Sequence, residues 1–188
     1  MRSGNFRDAI TDLRLDAARW VRPEAISDVA EVTPTMLLKL LHRHLPLRAM
    51  AWFRLAVAAR RAGIRGVSGW VQRRLLRVYG LELAPGTPVG GGCYIAHPVG
   101  CVLHAESIGH NVTIVGQVTF GTRSDARWPR IGDLTYIGVG ARVLGGIDVG
   151  DGAVIGANAV VIEDVAPGAT VVGVPGRVLT TGAGQDGE

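Results

Sequence analysis

Along the 188-residue chain the spacing of apolar residues changes once, near residue 80. Before that point they recur three and four apart, as in Leu37, Leu38, Leu41 and Leu45 and again in Trp52, Leu55, Ala56 and Ala59. That spacing lines one face of an amphipathic helix. Pro34 suits a helix start, and Pro46 with Gly63, Gly66 and Gly69 divides the stretch from Thr35 to about Tyr79 into three or four short helices.

Beyond Leu83 the period is six. Twelve hexads open on Val89, Ile95, Cys101, Ile108, Ile114, Phe120, Ile131, Ile137, Val143, Val149, Ile155 and Val161. The next residue is small at Gly90, Ala96, Gly109, Gly121, Gly132, Gly138, Gly150 and Gly156, which suits a chain turning every six residues. Fifth positions are again small or apolar (Cys93, Val99, Val112, Val118, Ala141, Ala153, Ala159, Val165), so positions one and five are predicted to point inward. Three hexads make one coil of a triangular prism, about eighteen residues, and stacked coils pair as parallel strands about 4.8 Å apart. The expected fold class is therefore α+β. A helical segment (1–80) precedes a parallel β-helix of about four coils (81–179), and a disordered tail (180–188) follows.

The hexad register breaks twice, with one extra residue between Cys101 and Ile108 and five between Phe120 and Ile131. The second insertion, Thr122 to Arg130, must project. It reads TRSDARWPR, with three arginines and the solenoid's only tryptophan, a composition suited to contacting a ligand or partner.

Charge follows the same boundary. Residues 1–80 hold 15 of the 20 Lys and Arg against six acids, and residues 81–188 hold five against ten. The basic half is read as a solvated arginine-rich helical face, with no nucleic-acid role expected. The amphipathic stretch from Trp52 to Trp70 is expected to pack within an oligomer, a membrane surface being the alternative. Charges interrupt the N-terminus, and the most apolar run, Ala49 to Ala59, is about half a membrane span and contains Arg54. With only Cys93 and Cys101, eight apart and inward-facing, no disulfide-forming compartment is required. A cytoplasmic protein is expected.

His97 occupies the third, outward position of its hexad. An imidazole there is suited to take a proton from a hydroxyl near neutral pH if a carboxylate fixes its tautomer, and Glu82, just before the first coil, is the candidate. His104 and His110 also sit at outward corners. A zinc site would need three histidines brought together by neighbouring subunits. His97 and His110 fall on different corners of one chain, so no metal is expected and His104 and His110 are read as turn residues.

The run from Gly80 to Leu179 resembles the serine acetyltransferase branch of the hexapeptide-repeat acyltransferases. The matching pieces are IAHPVG at 95–100, VTFG at 118–121, IGVGARVLGGIDVG at 137–150, IGANAVV at 155–161 and GVPGR at 173–177. The resemblance implies a left-handed prism, a trimer or dimer of trimers with sites at subunit boundaries, and acetyl-CoA as acyl donor. It places His97 as general base and Glu82 as its carboxylate partner. It also implies direct attack of an acceptor hydroxyl on the thioester, without a covalent intermediate. Gly121, Thr122, Val139, Ala141, Ala157 and Asn158 match positions where the pantetheine arm approaches the backbone, and Arg142 and Arg177 are candidate phosphate partners.

Two departures bear on the acceptor. Ala96 stands where that branch carries an aspartate before the histidine, and Trp128 where it carries a second histidine in the projecting loop. Arg127 matches the neighbouring loop arginine, and Glu31 falls near the place of an acid from the helical segment. A neutral small residue and an indole suit a sugar, a polysaccharide precursor or another small hydroxyl metabolite. L-serine is the alternative acceptor, and a non-catalytic scaffold is the alternative role.

Overall fold

A computed structural model describes residues 6–22, 32–124 and 126–179. Helices α1 (Phe6–Ala18), α2 (Pro34–Arg43), α3 (Leu45–Arg61) and α4 (Val67–Tyr79) come first. Thr33 caps α2 by accepting the Met36 amide at 3.3 Å, with Pro34 in the first turn. Pro46 likewise opens α3 rather than breaking a helix, since the first turn lacks an intrahelical partner for an N–H in any case. Gly80 ends α4 in the left-handed conformation at φ 62°.

Among the described residues fourteen short strands follow. The first six are β1 (Leu81–Glu82), β2 (Tyr94–His97), β3 (Cys101–Leu103), β4 (Ser107–Ile108), β5 (Thr113–Gly116) and β6 (Thr119–Gly121). Then come β7 (Arg130–Ile131), β8 (Tyr136–Ile137), β9 (Arg142–Leu144), β10 (Asp148–Val149), β11 (Val154–Ile155), β12 (Val160–Val161), β13 (Thr170–Val172) and β14 (Arg177–Val178). They stack into three parallel sheets: β1-β3-β6-β9-β12, β4-β7-β10, and β2-β5-β8-β11-β13, with β14 antiparallel at the end of the last. These are the three sides of a prism, called here the β1, β4 and β2 faces.

The solenoid has about five coils, not four. Leu81 and Leu83, buried beneath the helices, open a coil that a hexad count begun at Val89 leaves out. Every hexad-opening residue from Ile95 to Val161 is buried, each such aliphatic side chain contributing about 1.5–3 kcal/mol. Among the fifth positions Val99 is the exception, 67% exposed. Strand β2 runs on to His97 before the chain turns, and Pro98 is buried in place of Val99.

The helices cover the open first coil, and one apolar core runs from Ala49, Met50 and Phe53 through Leu81 to Val171. The cover is fastened by a buried ion pair. Arg54 Nε donates to Asp16 Oδ2 at 2.9 Å and Nη2 to Asp16 Oδ1 at 3.0 Å, while the same guanidinium donates to the carbonyls of Val89 and Gly90, both at 2.6 Å. The Cys93 amide donates to Asp16 Oδ1 at 2.9 Å. Arg19 reaches the Asn111 carbonyl at 2.8 Å and the Thr113 hydroxyl at 2.7 Å. Burial pushes the Asp16 carboxyl up, against the pull of Arg54 and the Cys93 amide. Burial also works against the Arg54 charge, but Asp16 and the nearby Asp12 outweigh it and hold the guanidinium above its usual value. No described helix is long and apolar enough to cross a membrane.

Candidate functional site

Each prism edge stacks the turns of successive coils, so residues distant in sequence form a column. On the edge between the β2 and β1 faces the column runs from His97 through Gln117 and Val139 to Ala157 and Asn158. The Asn158 amide donates to the Val139 carbonyl at 2.8 Å, and the Gly140 amide to the Gly116 carbonyl at 2.9 Å. His97 heads it from the last position of β2, exposed, paired in register with Gly116. A Cβ on Gly116 would lie 3.0 Å from both Cβ and the carbonyl oxygen of His97, so glycine is what lets the coil below close under the imidazole. Four expected site residues, His97, Val139, Ala157 and Asn158, therefore share one edge, with Ala96 half-buried beside the first.

Arg142 belongs to this edge but is already engaged: its Nη1 donates to the carbonyls of Gln117 at 2.6 Å and Gly140 at 2.7 Å. It braces the turns and is not held free for a phosphate. Ala141 is withdrawn altogether. It is fully buried, its amide donates to Gly138 and its carbonyl accepts from Thr119. As a fifth-position residue it fills the prism, so it offers no wall to a ligand. Arg177 lies exposed on β14 at the last coil, donating to the Gly176 carbonyl at 3.0 Å.

The remaining candidates lie on the next edge, between the β1 and β4 faces. Gly121 ends β6, Thr122 opens the projecting loop, and both Arg127 and Trp128 stand exposed on that loop. The loop folds back over the coil below, Arg123 packing on Gly145 and Arg127 on Gly146, around a cleft of ≈ 300 Å³ that these share with Ser124, Leu144 and Ile162. On the other side of the loop Trp128, His104, Thr87 and Glu106 help line a second cleft of ≈ 340 Å³.

Glu82 is not placed as expected. Its Oε1 lies 2.8 Å from His104 Nε2, and among the described residues no hydrogen bond joins it to His97. The reason is register. Leu81 pairs with Cys101 and Glu82 with Val102, which sets Glu82 on the β1 face leaning to the far edge, where His104 follows β3. His104 is thus more than a turn residue: its ring also packs on Trp128, centroids 5.1 Å apart and planes at 33°. The signal that would have found it is the twenty-residue offset of the first coil. His110 is a turn residue, its Nδ1 accepting the Gly91 amide at 3.1 Å and its own amide donating to Asp133. The three histidines occupy three different edges. Glu31 lies outside the described residues, as does the tail from residue 180.

The two cysteines are buried and reduced. Burial, reinforced by the Asp16 carboxylate, pushes the Cys93 thiol up to about 12, and burial raises Cys101 as well. Neither is poised as a nucleophile.

No family model matches the chain. The serine acetyltransferase of Helicobacter pylori (strain J99 / ATCC 700824) is 36% identical over 138 residues, covering 71% of this chain and 81% of that protein. Among solved structures, Neisseria gonorrhoeae serine acetyltransferase in complex with serine superposes with a TM-score of 0.75 at 31% identity, covering 91% of this chain and 69% of the other. A serine acetyltransferase in complex with CoA gives a TM-score of 0.71 at 27% identity, covering 93% and 69%. The chain spans 45% of the length of one curated relative it matches and 81% of another. With the prism, the cover of helices and most of the H. pylori protein's length in common, the chain belongs to the serine acetyltransferase family of hexapeptide-repeat acyltransferases.

Proposed function

We propose that the chain transfers the acetyl group of acetyl-CoA to a hydroxyl, with L-serine as the leading acceptor. The observation that carries the chemistry is His97, an exposed imidazole at a strand end, heading a column of Val139, Ala157 and Asn158 along one prism edge. The imidazole removes the hydroxyl proton as the oxygen attacks the thioester carbonyl. The tetrahedral intermediate expels the CoA thiolate, and the imidazolium returns the proton to sulfur. General base catalysis of this kind contributes about 10²–10⁴-fold, and binding both substrates side by side supplies the rest.

L-serine leads because the relatives are serine acetyltransferases and one was solved with serine bound. A second reading, a neutral polyol such as a sugar, rests on Ala96 beside the base and on Trp128, 38% exposed over the second cleft. The two groups of candidates, on two edges of the β1 face, form one groove when a second copy brings its edge to the first, which favours a trimeric enzyme.

The test is release of free CoA from acetyl-CoA, followed with a thiol reagent, across L-serine, sugars and nucleotide sugars. Acceptor-dependent release that falls at least 100-fold in His97→Ala, with the oligomer unchanged by light scattering, is expected. Full activity in that variant refutes the role of His97, and turnover with sugars but not serine replaces the leading acceptor by the second.

A further inference from the structure

Between Val32 and Leu81 the chain carries ten Lys and Arg and not one Asp or Glu. On α4 this acid-free stretch builds a shallow groove of ≈ 200 Å³ lined by Trp70, Arg73, Arg74, Arg77 and Val78. Among the described residues none of these three arginines has a carboxylate or carbonyl partner. Arg74 lies 4.8 Å from the Trp52 ring and 5.7 Å from that of Trp70, and the two indoles meet edge to face at 5.4 Å. Its Nε is buried without a hydrogen-bond acceptor. The apolar members still face solvent in part: Trp70 is 48% and Val78 55% exposed, and Ile64, 48% exposed, stands in the preceding turn beside Arg65.

We infer that this α4 face docks on the surface of a bilayer containing anionic phospholipid. Charge complementarity carries the choice. A protein partner would meet a face with no acid to set orientation, whereas a layer of phosphate headgroups needs none. Guanidinium forks hold phosphate oxygens two at a time. An indole at the rim is suited to the headgroup level, and aliphatic side chains between the arginines enter the acyl boundary. Nothing in this arrangement crosses the membrane; it is a peripheral contact.

The experiment is co-sedimentation of the full-length protein with extruded vesicles of phosphatidylcholine alone, or of phosphatidylcholine and phosphatidylglycerol at 3:1, in 0.1 M and 0.5 M NaCl. Binding to the mixed vesicles only, with a blue shift of tryptophan emission and loss at the higher salt, is expected. Near an anionic surface each arginine strengthens binding about five-fold, so Arg73→Gln with Arg77→Gln weakens it roughly 25-fold. Trp70→Ala removes most of the emission shift. No binding to the mixed vesicles at 0.1 M NaCl overturns the inference, as does equal binding to phosphatidylcholine alone. So does an Arg73→Gln/Arg77→Gln protein that sediments undiminished. If light scattering shows that this double variant loses its oligomeric state, the face is a contact between copies and the inference falls. Binding to soluble polyglutamate without binding to vesicles assigns the face to an acidic polypeptide and likewise rejects it.

Discussion

Replacing Asp16 by alanine tests how the helices hold the first coil. The variant removes two guanidinium hydrogen bonds and the acceptor of the Cys93 amide, leaving Arg54 at 3% exposure with its charge in place. Breaking a buried pair from one side costs about 3–5 kcal/mol, because the surviving charge is stranded. Two features pull the value to the lower end. The carbonyls of Val89 and Gly90 still accept from Arg54, and Asp12, 3.6 Å from Nη1 and partly exposed, can share its charge. A loss of about 3 kcal/mol follows, a large part of the 5–15 kcal/mol that holds most domains folded. Urea unfolding, read by circular dichroism at one fixed protein concentration, measures it. Replacing both partners, as Asp16→Leu with Arg54→Leu, strands no charge, so it costs at least about 2 kcal/mol less than the two single changes summed. A loss below about 1 kcal/mol in Asp16→Ala, or simple additivity in the double variant, refutes the argument.

Two further outcomes follow from the site and its surroundings. His104→Ala frees Glu82 and removes the ring packed on Trp128, so the KM for acceptor rises about ten-fold with kcat within about three-fold of wild type. Steady-state kinetics decide, and a hundred-fold fall in kcat at unchanged KM assigns the proton transfer to His104 instead. Cys93, raised to about 12 in the fold, keeps its proton where the unfolded thiol has lost its own. Its contribution is complete below about pH 8.5–9, then declines as pH rises toward 12, by roughly 1–2 kcal/mol at pH 10. Urea midpoints of wild type and Cys93→Ala between pH 7 and 11 show this as a steeper alkaline decline in wild type, and parallel profiles reject it.

From Val89 onward the prism was legible because its periodicity is enforced at each coil: inward residues at the first and fifth positions of each side, with little freedom to place them elsewhere. The α3–α4 pair was legible for the same reason at helical period. Outside that repetition the sequence was a poorer guide. In α1 charges interleave with the apolar residues, and Asp16 and Arg54 read as surface groups although they are buried. Only a partner 38 residues away makes their burial tolerable. The edge position of His97 follows from hexad register, and that of Trp128 from the break in register that makes its loop project. Glu82 was misassigned because its direction depends on how the irregular first coil stacks on the second, and that coil carries no hexad signature. Ala141 shows the opposite failure. The hexad rule places it inside, and its match to a ligand-approaching position did not override that geometry.

The division of the candidate site between two edges bears on assembly. A side of the prism is one hexad long, at most about 20 Å of extended chain, and His97 and the Trp128 loop stand at its two ends. No side chain bridges that span. An acyl-CoA lying along the column of Val139, Ala157 and Asn158 in one chain would leave the arginines and indole of that chain's own loop at the far end of an open face. In the trimer proposed above, the loop of a second copy brought against the same column would close the groove and exclude water from the thioester. The two histidines have different surroundings. His97, in a column of small and exposed residues, has room for a substrate hydroxyl. His104 is held by Glu82 and packed against Trp128 at the base of the loop. On the proposed reading, proton transfer belongs to the His97 edge, and acceptor choice is divided between Ala96 beside it and Trp128 on the loop, so substitutions at Ala96 and Trp128 would change the acceptor while the base stays fixed.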